Sequence, residues 1–383
     1  MRSAFLSIGA IAALALAAGC SDGDNSGSSE PTGTVVRPGD SIQSAVDAAA
    51  PGDTITVMPG DYTETHAGTS AVHITKPLKL IAQSDPPDQR VRILPSAGQR
   101  DGIVAEPANT GDPDIDGLTI SGFTIEGFSN NGIWLKHVQN FTIEKNESIN
   151  NLENGIWPTI SANGEVRNNV AYGSLDSALW VEASENVRIL DNDLHHSPTG
   201  LEITVSNDIH MEGNDVHDNV VGVGLYHPSG AGLPPSQWPP SPFRNWTLVN
   251  NKVNNNNFPN PVSSGLVGAL PSGGGVLVLG VDTVDVRDNE VNNNNFFGIA
   301  VVDYCIAVDG TPNSCQNNPP FYTDVSPDGN RLVDNTATGN GAAPPPGPFE
   351  AVAGDLLAIG GTNNCASGNT ANKVTFAPEL PPC

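Results

Sequence analysis

The sequence predicts an all-β chain wound as a parallel β-helix, a solenoid with about 22–23 residues per coil. Three tracks with one shared period predict it. The first is Gly132-Ile133-Trp134, Gly155-Ile156-Trp157 and Ala178-Leu179-Trp180, each 23 residues after the last. Gly200-Leu201-Glu202 and Gly222-Val223-Gly224 follow at steps of 22, and Gly275-Val276-Leu277 and Gly298-Ile299-Ala300 resume the frame after an interruption. The second track is Asn146, Asn169, Asn192 and Asn214, continued by Asn251, Asn289 and Asn335. The third is apolar: Phe141/Ile143, Val187/Ile189, Ile209/Met211, Trp246/Leu248 and Val284/Val286. A fixed period of this size marks a solenoid, propeller or array. The unit is too short for a four-stranded blade and carries no helical period. Its β-branched alternation, broken by Asn, Asp and Gly, suits short strands. Such coils stack at about 4.8 Å.

The elements follow in order. Residues 1–19 have a basic start at Arg2 and an apolar run too short to span a membrane, so they read as a secretory signal. Leu16-Ala17-Ala18-Gly19-Cys20 resembles the lipobox of bacterial lipoproteins, which implies lipidation of Cys20. Ser21 resembles the sorting residue for an outer membrane. Residues 20–34 are polar, Gly/Ser-rich and aperiodic, as expected of a flexible tether behind the anchor. Residues 35–383 are the expected solenoid.

Its entrance reads as a short capping helix. Asp40-Ser41-Ile42-Gln43 is a candidate capping box, and Ile42, Ala45, Val46 and Ala49 give one apolar face before Pro51-Gly52. The next stretch, with Gly60, Tyr62 and Glu64, resembles the opening coil of pectin methylesterases. That family's catalytic aspartate and arginine motifs are absent, so the shared part is a fold element.

Together the tracks GIWL, FTIEKN and VRILDN resemble the right-handed parallel β-helix repeats of the pectate-lyase-like superfamily, and more narrowly bacterial NosD-like β-helix lipoproteins. The resemblance implies the right-handed fold. It implies little about function, because this fold carries lyases, hydrolases, epimerases and non-catalytic scaffolds. Stacked asparagines at one turn position form hydrogen-bonded ladders, so the Asn track is structural.

Candidate sites come from the outward positions. With Ile133 and Leu135 inward, alternation turns Trp134, Trp157 and Trp180 outward, followed by Glu202. Two readings stay open: a structural aromatic stack covered by residues 101–116, or a row that binds sugar rings. The second-half frame is broken at 226–244, 257–274, 305–329 and 341–349 by Pro/Gly-rich insertions. In a solenoid these leave the coil as loops that could wall a cleft. His195, His217 and Asp218 align at one turn and could bind a divalent cation such as calcium, or simply be solvated. The row Thr142, Glu165, Arg188, His210, Thr247, Asp285 and Arg331 holds the nearest approach to a catalytic set in Glu165, Arg188 and His210, with an ion-paired surface as the plainer reading.

The remaining features bound the partners. The net charge is −26, and loss of Arg2 with the signal makes it one unit more negative. Nucleic acid and anionic lipid are excluded as partners on that charge, and the membrane is reached only through the anchor. An even set of cysteines behind a secretory signal predicts disulfides, on proximity Cys305–Cys315 and Cys365–Cys383. The expected function is binding of an envelope or extracellular polysaccharide along the tryptophan row, without assigned catalysis. The rivals are a polysaccharide lyase, hydrolase or epimerase between the second-half loops, and a structural partner of an envelope protein complex.

Overall fold

The computed structural model describes residues 33–83, 89–228, 231–309, 315 and 324–383. Cys20 and the expected signal and tether, up to residue 32, lie outside them. Residues 33–383 form one compact unit. Three parallel sheets run its length, with 12, 11 and 10 strands among the described residues. Each complete coil contributes one strand to sheet A, one to sheet B and one to sheet C. In the coil that starts at Val138 these are Val138–Glu144, Glu147–Ile149 and Ile156–Thr159.

Successive coils pair in register at the predicted period. Ile133, Trp134 and Leu135 lie against Ile156, Trp157 and Pro158. Trp180 lies against Glu202, and Glu202 against Gly224. The apolar track points inward and forms the core, with Phe141, Ile189, Met211, Trp246 and Val286 all buried. The Gly-Ile glycines mark close approach of neighbouring coils. A Cβ on Gly132 would stand 2.6 Å from the carbonyl oxygen of Gly155.

The asparagine ladder is continuous. Asn146 donates its backbone N–H and side-chain amide to Asn169 Oδ1, and the same pairing repeats from Asn169 to Asn192, Asn214, Asn251, Asn289 and Asn335. A second ladder, Asn219, Asn256, Asn294 and Asn340, runs at the next corner. The residue before each first-ladder Asn is left-handed: Lys145, Asn168, Asp191, Gly213, Asn250, Asp288 and Asp334. Short polar residues and Gly are the ones that take this conformation at low cost.

The entrance differs in detail from expectation. The helix is Ile42–Ala48, and its N-cap is Ser41, whose hydroxyl accepts from the Ser44 N–H. Asp40 instead accepts from the Arg37 N–H. Gln43 does not reach back to the cap. It bridges Asp47 and the backbone of His73. Glu64 completes the cap, accepting from Ser41 Oγ and the Ile42 N–H at 2.6 Å each. Glu64 of the Gly60-Tyr62-Glu64 motif is therefore a helix anchor here, while the Tyr62 hydroxyl donates to the Met58 carbonyl. Both predicted disulfides form, Cys305–Cys315 and Cys365–Cys383.

Candidate functional site

The tryptophan row lies on the outer face of sheet C, as alternation requires. From coil to coil its positions are His73, Val104, Trp134, Trp157, Trp180, Glu202, Gly224, Leu277, Ala300 and Leu357. Trp134 and Trp157 stack with ring centroids 5.3 Å apart, and Trp157 and Trp180 at 5.2 Å. Indoles stacked face to face along the solenoid spend their faces on one another. The expectation of a flat row carrying successive sugar rings is corrected accordingly: only the two end faces of the stack lie outside that stacking.

One of those ends is covered. Trp180 is 5% exposed. The cover is not residues 101–116, since Asp101–Ala105 is itself a sheet C strand and Ile115–Ser121 a sheet A strand. It is the insertion after Tyr226. A Cβ on Gly232 would stand 2.9 Å from Trp180 Cη2, and the Leu233 N–H donates to Glu182 Oε1 at 2.7 Å. Trp238 Nε1 in turn holds the Leu233 carbonyl.

At the other end Val104, the next position in the row, lies in register beside Trp134 and is buried. Trp134 forms one wall of a groove of about 360 Å³, lined also by Gln43, Asp47, His66 to Ser70, His73, Asp101, Val104 and Glu106. His73 Nε2 lies 3.6 Å from Glu106 Oε1, and this partner holds the Glu106 carboxyl below its usual range. His66 contacts the Ala71 carbonyl at 2.9 Å, and Asp101 accepts from Asn131. One aromatic face with converging acids, imidazoles and an amide is the composition of a site for a polyhydroxylated ligand. Sequence periodicity missed it because the early coils are irregular. Ile74 to Ala105 is one coil of 31 residues, so the 23-residue frame never reaches His73 or Glu106.

Beyond Trp180 the same face carries acids. Burial pushes Asp176 up to about 6, with Glu153 adding to it. Burial pushes Glu182 up to about 7, against the Leu233 and Gly232 backbone N–H groups. Burial, then Asp176, raises Glu202 well above the usual carboxylate range, against a 2.5 Å hydrogen bond from Ser177 Oγ. Tyr226 is raised by burial and by Glu202.

Toward the later insertions the outer face of sheet C is apolar. Phe296, Phe297, Ala300, Val302, Ala353 and Leu357 form a second core outside the coil, with Leu277 and Leu279 packed on it.

The other candidates lie on other faces and do not join the groove. Glu165, Arg188 and His210 occupy neighbouring positions on sheet A. Arg188 pairs with Glu165 at 2.8 Å, and His210 with Glu212 at 2.9 Å. On sheet B, Tyr172, His195 and His217 stack. His217 bonds Asp218 through Nδ1 and Asp193 through Nε2. Burial lowers its pKa, but these two partners outweigh burial and raise it. With both ring nitrogens engaged, His217 offers no free ligand atom. His195 instead meets His196 at 2.7 Å. The three-acid cluster that converges among the described residues is Asp282, Asp324 and Asp328, with carboxylate oxygens within 4.8 Å of one another. Burial, then its two neighbours, pushes Asp282 up to about 6. No spacing rule links positions so far apart in sequence.

Residues 98–234 match the family described as "Right handed beta helix region". No curated protein matched the chain. Among solved structures, the A-module of the mannuronan C-5 epimerase AlgE4 of Azotobacter vinelandii superposes at a TM-score of 0.53 and 15% identity, over 88% of this chain and 94% of that chain. The DFA-IIIase of Arthrobacter chlorophenolicus A6, without its lid, superposes at 0.57 and 14% identity, over 91% and 92%. At these identities the likeness is one of fold. With the three parallel sheets and the matched repeat region, it makes the chain a right-handed parallel β-helix protein.

Proposed function

We propose that this is an extracytoplasmic carbohydrate-binding β-helix protein whose ligand enters the groove at the Trp134 end of sheet C. The observation that carries this reading is the groove whose lining joins the Trp134 indole to His66, His73, Asp47, Asp101 and Glu106. An indole face suits the C–H face of a sugar, and the acids and imidazoles suit its hydroxyls. The two solved structures of like fold bear the names of enzymes acting on mannuronan and on DFA-III, which agrees with a saccharide ligand in the coarse sense. The acidic balance of the chain favours a neutral polysaccharide over a polyanion.

Affinity electrophoresis against a panel of neutral and acidic polysaccharides tests the reading. Wild type is expected to be retarded by a neutral member, and Trp134→Ala to lose at least about tenfold in affinity. Equal retardation of both proteins would move the site away from the groove, and retardation of neither would remove the reading.

The address belongs to the same proposal. Two disulfides fit an oxidising compartment. The proposal has Cys20 carrying the lipid, with the polysaccharide reached at the envelope surface. Metabolic labelling with a fatty acid should mark wild type and not Cys20→Ser; label on both would refute the anchor.

A further inference from the structure

Two of the asparagine ladders end on an aspartate. Asn154 donates to Asn131 Oδ1, and Asn131 donates its backbone N–H and its side-chain amide to Asp101 Oδ1. The ladder of Asn219, Asn256, Asn294 and Asn340 ends likewise on Asp355 Oδ1. The two aspartates then differ. Asp355 uses both oxygens, since its Oδ2 accepts from the Asn372 and Lys373 N–H groups. Asp101 uses one. Its Oδ2 has no hydrogen bond among the described residues, although the residue is only 4% exposed. An amide oxygen would accept from Asn131 as a carboxylate does, so the ladder does not require an acid here. A carboxylate oxygen buried this far and left without a donor has its explanation outside the ladder.

Asp101 lines the groove of about 360 Å³ walled by Trp134. Two further carboxylates line it, Asp47 and Glu106, and no lysine or arginine does. Glu106 has a partner in His73, 3.6 Å away, and Lys136 and His137 also act on its charge. Asp47 is exposed, and its Oδ1 accepts from Gln43 Nε2 at 2.7 Å. Lys76 reaches the backbone beside it, donating to the Asp47 and Ala49 carbonyl oxygens at 3.0 and 2.8 Å. The second imidazole of the lining, His66, meets the Ala71 carbonyl. Among the described residues neither Asp47 nor Asp101 forms an ion pair. The groove therefore holds two carboxylates without a cation, in a chain of net charge −26. A cation with several N–H donors, set beside an indole, is the chemistry that complements it.

We propose that the groove selects a saccharide carrying a free, protonated amine, held by Asp101 Oδ2 and Asp47 beside the Trp134 indole. This rests on the groove reading and names the sugar class within it. An ammonium on the sugar ring brings a positive charge and three donors. One N–H meets the buried Asp101 oxygen in a charge-assisted hydrogen bond, stronger than a bond between neutral groups. The charge offsets the burial of a carboxylate that has no cation of its own. An indole attracts an ammonium as well as the C–H face of the ring. N-acetylation removes the charge and two of the three N–H donors, so the acetylated sugar of the same linkage is the matched comparison. It still binds the groove, less tightly. The class also suits the whole chain, whose acidic field repels polyanions and attracts amines.

The test measures binding of the glucosamine trisaccharide and of its fully N-acetylated counterpart by calorimetry. It runs at about pH 6, where the amine is charged, and at physiological salt, which screens attraction to the rest of the acidic surface. Wild type is expected to bind the amino sugar at least about tenfold more tightly than the acetylated one. Asp101→Asn should bring that ratio within about twofold of unity while keeping affinity for the acetylated sugar. Its amide oxygen still accepts from Asn131, as the ladder asparagines do. Asp47→Asn, at an exposed helix position, should lower the ratio too and stands as the check if Asp101→Asn does not fold. Glu185→Gln, which removes an exposed charge from sheet A, should leave the wild-type ratio unchanged. A wild-type ratio near one, with Trp134→Ala weakening both sugars, overturns the amine proposal and keeps the groove reading. A ratio that survives in both Asp variants overturns the proposal as well, since the attraction then belongs to the acidic surface at large. Trilysine bound as tightly as the amino sugar overturns the choice of a saccharide. Binding of neither sugar overturns the amine proposal, and the polysaccharide panel then decides the groove reading alone.

Discussion

At the scale of single residues, the corner preceding each ladder asparagine decides stability. Lys145 is exposed and sits at φ 56, where its counterparts are Asn168, Asp191 and Gly213. A side chain with a Cβ pays there, and Asn less than Lys. Lys145→Asn should therefore raise stability by about 1 kcal/mol, read as a higher urea midpoint at unchanged slope; an unchanged midpoint would deny the strain. Asn192 does the opposite work. Its Oδ1 accepts twice from Asn169, and its amide donates to the Val166 carbonyl and to Asn214. Asn192→Ala should cost about 2–4 kcal/mol by stranding those buried groups, and a loss below about 1 kcal/mol would show that the ladder is decoration. This layer was legible from sequence because a stacked turn repeats the residue itself. The cap of the first helix was less so. Its second half is Glu64, 22 residues from Ile42 and brought there only by the coil.

At the scale of elements, the loop over Trp180 couples protonation to packing. Glu182 has an ordinary value of 4.5 and stands at about 7 in the fold. A carboxyl whose folded pKa is raised binds its proton more tightly when folded. Its contribution to stability is whole below about 4.5 and is lost as pH rises toward 7 and beyond, up to about 3 kcal/mol. Urea midpoints should thus fall between about pH 5 and pH 8, and Glu182→Gln should flatten part of that fall. A variant with the wild-type slope would mean that Glu182 does not feel its burial. Gly232→Val should lift the loop, since a Cβ there meets the Trp180 ring at 2.9 Å. The indole emission should shift to the red; an unmoved spectrum would mean the loop does not bear on the ring. Alternation in the sequence placed all three indoles outside the coil, and it was right. It holds no information on ring orientation, which the stacking between coils sets, nor on which insertion folds back over which coil. That is why the covered end and Glu182 were not legible, although Glu202 was placed beside Trp180 by alternation.

At the scale of the whole molecule, a regular middle is flanked by irregular ends. The regular middle, from Trp134 to Gly224, repeats at 22 or 23 residues and was readable throughout. The groove lies where the period fails, between the entrance helix and the first regular coils. Its residues come from 43, 47, 66–70, 73, 101, 104, 106 and 134, positions with no common spacing. Near the other end, Cys365–Cys383 ties Cys383 to a sheet A strand. Removing that bridge should cost about 3 kcal/mol in the chain-entropy account, seen as a lower thermal midpoint for a Cys365→Ser, Cys383→Ser pair; an unshifted midpoint would show that the end is held by packing alone. The central claim is that the groove walled by Trp134 receives a sugar. Its most direct measurement compares wild type, Trp134→Ala and Arg188→Ala on one neutral polysaccharide gel. The account predicts that wild type and Arg188→Ala are retarded alike while Trp134→Ala runs free. Retardation of Trp134→Ala equal to wild type would contradict it.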